Sequence, residues 1–457
     1  MFKHLKTISG AMLILMLALT ACVSKASPTA EPTQPQPTQP QPTEPPKTKV
    51  TINFWHANTE AAEGPPMAEI IAAFNKIHPE IEVKQLWDTP LDKAMAAITA
   101  GNSPDLIIQW GPQFVGSWAN AGALEPLDDY LKRGDVDPND FIPGILGSTT
   151  YKDKIYGLPF GTDMSMLIYN ADHFKAAGLD PEKPPMTTEE LLQYAEKLTK
   201  VENGEITQIG WLPNYAWTHV AGDGSISVRF GPTFFHEDGT PGFDDPRWVE
   251  VFDFAKWVFD KYGIDNVKRF VSGFGEYGTA QDAICSGKLS MIYDGEWYTN
   301  FIKKNCPNLN YRVVPFPYPS KHPELKNNWE MGGTTVIMPA KAPHKEEAWQ
   351  FLAFMQQPEN IAKFCLSSTL GNIPHTLKAL ALYDNYKSNL PADFKYFIDL
   401  AKTGQAVVIP ASPISDEYFT ELSKTEEQIY NGTVSVEDGL KDLQKRLMDI
   451  YNQKVSK

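Results

Sequence analysis

VTINFWHANTEAAEGPPMAEIIAAFNKIHPEIEVKQLWDTPLDKAMAAITAGNSPDLIIQWG, residues 50–111, is the stretch whose reading decides the fold. Residues 50–55 alternate like a buried strand and run into the polar turn His56-Ala57-Asn58-Thr59. Met67, Ile70, Ile71 and Phe74 then recur at helical spacing behind Pro66, a residue suited to a helix start, and His78-Pro79 ends the pattern. Residues 81–87 read as a second strand, 91–100 as a helix stopped by Gly101, and 104–108 as a short apolar strand ending at Gln109-Trp110-Gly111. Strand, helix, strand, helix, strand predicts a mainly parallel α/β sheet. Such sheets bind ligands beyond their strand ends, where Trp55 and Trp110 both fall.

Downstream, 114–131 reads as a helical stretch, and the Gly- and Pro-rich run 156–163 leads into a strand over 166–170. Gly and Pro packed before a strand suggest a crossing between two lobes. Thr187-Thr188-Glu189-Glu190 has capping-box chemistry. An aromatic loop, 211–217, follows, then a hairpin around Asp238-Gly239 and a helix starting at Pro246. Residues 289–293 form a strand that ends in Asp294-Gly295-Glu296-Trp297, and 311–319 looks like a second crossing. A strand over 335–338, a helix over 345–355 and a helical C-terminal part from Tyr418 complete the body.

Upstream of residue 50, Lys3, His4 and Lys6 precede an apolar run, 11–19, too short to span a membrane. It ends Leu19-Thr20-Ala21-Cys22, which resembles a bacterial lipobox, so residues 1–21 are expected to be a lipoprotein signal peptide and Cys22 the lipidated residue. Residues 22–49, rich in Pro, Thr and Gln, have little to bury and read as an extended tether. The remaining body exceeds the usual size of one domain, so two lobes are expected.

The net charge is −15, or −17 once Lys3 and Lys6 leave with the leader, which argues against nucleic acid and anionic membrane surfaces as partners. Beyond Cys22 the cysteines are Cys285, Cys306 and Cys365, without metal-ligand spacing. Buried free thiols are expected, with a Cys285–Cys306 bridge left open because export permits disulfides. No metal and no cofactor are expected.

The run Gly273-Phe274-Gly275-Glu276-Tyr277-Gly278 matches GxGxxG, but the residues before it include Lys268-Arg269 and follow a helix, so it reads as a loop before a helix over 281–285. Asp163, Asp294, Glu296 and Glu330 fall at strand ends or turns. They leave a secreted glycoside hydrolase with a carboxylate pair as the alternative to binding. The aromatics weigh more. Trp55, Trp110, Trp211, Tyr215, Trp217, Trp297 and Trp329 are expected in loops or at element ends. A sugar offers an apolar face to a flat ring and hydroxyls to neighbouring Asp, Glu and Asn. Any one ring could instead pack between a loop and the sheet.

These pieces together resemble family 1 of the extracellular solute-binding proteins, the carbohydrate-uptake group with the maltodextrin and glycerol-3-phosphate binders. The stretches that carry the likeness are INFWHA (52–57), PDLIIQWGP (104–112), LEPLDDYL (124–131) and YGLPFGTDMSMLIYN (156–170), with SGKLSMIYDGEW (286–297), GGTTVIMPAKAPHKEEAWQFLAFM (332–355) and GNIPHT (371–376). The resemblance implies an α/β, two-lobed, hinged fold of the type II periplasmic-binding-protein kind, with the ligand cleft between lobes. Lobe 1 would take 50–160 and 319–366, and lobe 2 would take 161–318 and 367–457. It implies the substrate-binding component of an ABC importer, not an enzyme, which delivers a sugar or oligosaccharide to membrane permease subunits. A monomer is expected, lipid-anchored outside the cytoplasm on the periplasmic side or outer face. The implied ligand contacts are Trp55, His56, Asn58, Trp110, Gln113, Asp163, Asn214, Trp217, Asp294, Trp297, Trp329, Gly332 and Gly333. With hardly any Lys or Arg among these positions, a neutral sugar is expected rather than a phosphate ester.

Overall fold

The computed structural model describes residues 49–57, 60–216, 220 and 226–456. The leader, Cys22 and the tether lie outside the described residues, as do Asn58 and Trp217.

Among the described residues the first elements are β1 (Val50–His56), α1 (Glu60–Ile77), β2 (Ile81–Leu86), α2 (Leu91–Thr99) and β3 (Leu106–Trp110), then α3 (Val115–Asn120). A small hairpin, β4 (Thr150–Tyr151) with β5 (Lys154–Ile155), precedes β6 (Gly157–Pro159). β7 (Ser165–Asn170), β8 (Lys200–Glu202), β9 (Glu205–Trp211), β10 (Leu289–Gly295) and β11 (Tyr311–Val314) follow. The last strands are β12 (Asn328–Glu330), β13 (Thr334–Ile337) and β14 (Gln405–Val407). These strands form two five-stranded sheets, β2-β1-β3-β13-β6 and β11-β7-β10-β9-β8, and a short ladder of β12 with β14.

In the first sheet β1 runs parallel to β2 and β3, as the opening stretch predicts, whereas β13 is antiparallel to both β3 and β6. The chain leaves this sheet after β6, builds the second, and returns through β13. Pleating sends Ile52, Phe54 and His56 to one face of β1, where Phe54 and Phe74 of α1 meet the Phe351 ring edge-on. The other face is covered by Ala94 and Ile98 of α2 and by Val115 and Trp118 of α3, packed on Ile107 and Ile337. A single large apolar cluster runs from Ile52 and Phe54 through Leu158 and Phe160 to Leu167, Leu289 and Ile292, so the two sheets share a continuous core.

Several elements match the sequence reading closely. The helix over Lys345–Met355 has the expected limits. Thr187 accepts from the Glu190 backbone N–H (3.2 Å) while the Glu190 carboxylate accepts from that of Thr187 (3.4 Å), completing the capping box. Others differ. The stretch 114–131 is two helices, α3 and Asp128–Leu131, because Gly122 turns left-handed (φ +69°) and Pro126 interrupts the pattern. Residues 281–285 form turns rather than a helix, held by the Asp282 carboxylate, which accepts from the Gly278 and Ile284 N–H groups. Cys285 and Cys306 are joined in a disulfide (Cα–Cα 5.6 Å), correcting the expectation of free thiols, while Cys365 is free and buried.

Candidate ligand-binding site

The ends of β3 and β13 meet the first crossing between the sheets. Trp110 ends β3 with 59% of its surface exposed, an unusual state for the largest apolar side chain. Its register partner on β13 is Thr334, and the Gly111 N–H donates to Gly333 O at 2.8 Å. Gly333 adopts φ +102°, and a Cβ there would lie 2.6 Å from Thr162 Cα and 2.7 Å from Gly161 O. Only glycine lets the start of β13 press so closely on the crossing. The neighbouring Gly332 faces open space, and its carbonyl accepts from Thr162 Oγ1 at 3.2 Å. Asp163 follows at once, and Gln113 sits half-buried in the turn beyond β3. Trp110, Gln113, Asp163, Gly332 and Gly333 therefore lie around the place where β3, β13 and the crossing converge.

A third chain segment locks this crossing. Thr162 and Ile373 exchange backbone hydrogen bonds (2.8 and 3.1 Å), and the Gly161 N–H donates to His375 Nδ1 at 2.9 Å. Because Nδ1 accepts, the His375 proton sits on Nε2, which reaches Gln356 Oε1 at 2.9 Å. Burial pushes this histidine down from 6.5 to about 3, so it is neutral. Asn372 donates from Nδ2 to Asp163 Oδ1 (2.5 Å) and to Glu296 Oε1 (3.0 Å), while the Met164 N–H donates to Glu296 Oε2 (2.9 Å). Burial first, then the Asp163 carboxylate, push Glu296 well above the usual carboxylate range, and the same two causes raise Glu63 of α1. GNIPHT thus holds Asp163 through Asn372, a role that sequence spacing does not reveal.

The second sheet contributes the end of β10. Trp297 is half-buried and donates from Nε1 to Tyr277 Oη (3.0 Å), and Tyr277 donates to Asp294 Oδ1 (2.9 Å). Tyr277 comes from the glycine-rich run read above as a loop; its only earlier signal was an aromatic residue inside that run. Asn214 is exposed in the turn after β9. Trp211 ends β9 and Tyr215 lies in the loop beyond it, as expected, but both are buried, and the Tyr215 hydroxyl accepts from the Ala283 N–H at 3.3 Å.

Three expected contacts are enclosed instead of open. His56 is fully buried on the Ile52, Phe54 face of β1, stacked on Trp87 (3.8 Å between centroids), and burial pushes it down to about 3. Among the described residues neither of its ring nitrogens has a hydrogen-bond partner. Asp294 is fully buried and accepts from the Tyr277 hydroxyl. Trp329 is fully buried within β12, whose pairing with β14 draws its ring into the core. Trp55 is half-buried and packs against the cluster of Ile107 and Phe114. Among the described residues no group of His, Cys, Asp and Glu is arranged to hold a metal.

The family described as bacterial extracellular solute-binding protein matches residues 57–362. The maltotriose-binding protein of Pyrococcus abyssi is 29% identical over 327 residues, a match spanning 70% of this chain and 65% of that protein, just under two thirds of its length. A putative binding protein of Brucella abortus is 29% identical over 391 residues, 84% of this chain and 90% of that one. The solved structure of CpMnBP1 with mannotriose bound superposes with a TM-score of 0.75 at 30% identity, covering 87% of this chain and all of that one. The fold is accordingly the two-lobed α/β, type II periplasmic-binding-protein fold. With two-thirds of the chain matched to the family and a 30% identical structure spanned over its whole length, this chain belongs to the bacterial extracellular solute-binding proteins.

Proposed function

We propose that this protein is the extracytoplasmic substrate-binding component of an ABC importer, capturing an oligosaccharide between its lobes and delivering it to the permease without chemical turnover. The observation that carries the reading is the likeness over 87% of the chain to a mannotriose-bound protein, together with an exposed Trp110 at the end of β3. The lobes divide as 50–160 with 319–366 and 161–318 with 367–457; the membership of the two five-stranded sheets supports this division, while the β12–β14 ladder joins the two ranges. Trp110 and Trp297 offer ring faces, and Asp163, Gln113 and Asn214 offer hydrogen-bonding groups to hydroxyls. Asn58 and Trp217 belong to the same set through the family resemblance. A ligand that bridges both lobes stabilises the closed state over the open one, and the transporter reads that shape.

The protein acts as a monomer, anchored through lipidated Cys22 and held off the membrane by the 22–49 tether. Among the described residues no helix is long and apolar enough to cross a membrane. Cys22→Ser should move the protein from the membrane to the soluble fraction of expressing cells; an unchanged membrane fraction removes the anchor. The decisive experiment is calorimetry with mannobiose, mannotriose, maltotriose and glycerol 3-phosphate, beside a hydrolysis assay. An oligosaccharide should bind and remain intact. Binding of the phosphate ester alone, or hydrolysis of a bound sugar, overturns the reading.

A further inference from the structure

The polarity of the hydrogen bonds at the Trp297 rim follows from the groups that make them. An indole N–H can only donate, so Tyr277 Oη accepts from Trp297 and its own O–H is left to donate to Asp294. The order runs Trp297 Nε1–H to Tyr277 Oη (3.0 Å), then Tyr277 O–H to Asp294 Oδ1 (2.9 Å). The same Asp294 oxygen accepts from the Gly295 N–H at 2.7 Å. Gly295 has no side chain where the indole lies: a Cβ there would fall 2.2 Å from two of its ring carbons. The backbone beneath the ring and the single polar atom on its rim are therefore tied to one buried carboxylate. Tyr277 is itself boxed in, with Tyr298, Phe301 and Tyr215 rings at 5.5, 5.7 and 6.2 Å.

We propose that Tyr277 and Asp294 are positioning residues that fix the plane of the Trp297 indole before ligand arrives, with Gly295 as the surface over which the ring folds. The inference rests on the reading of Trp297 as a sugar platform, and it assigns Asp294 a different task from direct contact with ligand. Immobilising a rotamer-rich side chain in advance removes an ordering cost from binding, and a freed indole restores it. The glycine-rich run 273–278 thereby acquires a role: it delivers one hydroxyl to the edge of the platform.

The test separates the relay from the ligand. In the ligand-free protein the Trp297 indole N–H resonance, identified by its loss in Trp297→Phe, should shift upfield and exchange faster with water in Tyr277→Phe. That substitution keeps the ring packing and removes only the hydroxyl. Asp294→Asn should shift it in the same direction by less. For mannotriose, Tyr277→Phe should bind roughly fivefold more weakly, and should add no further loss in a Trp297→Phe background, because the hydroxyl acts through the indole. An unmoved resonance, or penalties that add in the double variant, overturns the proposal. If the unsubstituted protein binds none of the oligosaccharides, the transport reading falls, while the ligand-free resonance still decides the relay.

Discussion

His375 should make stability depend on pH in a way that one substitution can isolate. It is fully buried, accepts the Gly161 N–H at the crossing, and is pushed down from 6.5 to about 3. In the unfolded chain the imidazole takes up a proton below 6.5, whereas in the native protein it stays neutral until about 3. A group depressed in this way contributes stability that is present above 6.5 and is lost as pH falls toward 3. One proton per pH unit corresponds to about 1.4 kcal/mol, so acidification from about pH 7.5 to about pH 5 should cost the native state about 2 kcal/mol through His375 alone. The same slope is expected from His56, and an opposite one from Glu63, Glu296 and Glu426, whose carboxyls are raised. Those terms cancel when two proteins differing only at position 375 are compared. In His375→Asn the side-chain oxygen can still accept from Gly161, but the bond to Gln356 and part of the ring packing against Phe141 are lost. We expect a deficit of about 3 kcal/mol near neutral pH. That deficit should narrow to about 1 kcal/mol near pH 5, where the histidine no longer helps the parent. Urea unfolding of both proteins at the two pH values measures the gap. A deficit that stays constant refutes the neutral, proton-excluding histidine.

Three further outcomes follow from the geometry. Gly333→Ala introduces a Cβ 2.6 Å from Thr162 Cα at φ +102°. It should lower stability by about 3 kcal/mol or more, and an unchanged urea midpoint would contradict the close approach. Trp110→Ala, at a position 59% exposed, should leave stability within about 1 kcal/mol. Its mannotriose affinity should fall roughly tenfold by titration calorimetry, and equal affinity would remove Trp110 from the site. Replacing both Cys285 and Cys306 by Ser opens a loop closed across 21 residues. The expected loss is about 3 kcal/mol, matched by reductant on the parent protein; indifference to both would argue against the bridge.

Much of the fold was legible because its cues are local. Period-two alternation marked β1, helical spacing marked α1, and the Thr187 capping box marked a helix start with both reciprocal bonds present. His56 was misread as part of a polar turn and a ligand contact: it ends β1, continues the Ile52, Phe54 face, and the pleat carries it inward with them. The other misread segments are those where a side chain captures the backbone or a remote strand supplies the pairing. Residues 281–285 carry a helical pattern, but the Asp282 side chain captures the Gly278 and Ile284 amides and the Tyr298 hydroxyl, and the chain turns. Trp329 looked like a turn aromatic because its strand partner, β14, lies about 75 residues away in a segment with no strong strand signal.

Spacing and residue type within single elements were enough for the α/β character and for placing Trp55, Trp110 and Trp297 at strand ends or turns, while the division into lobes came from the family resemblance. Only the tertiary structure decided which of those residues serve one another. Asn372 reaches Asp163 across 209 residues, Tyr277 reaches Trp297 across 20, and Cys285 pairs with Cys306. Hydrogen bonds and disulfides form between atoms a few ångströms apart in space, and periodicity along a chain does not encode that distance.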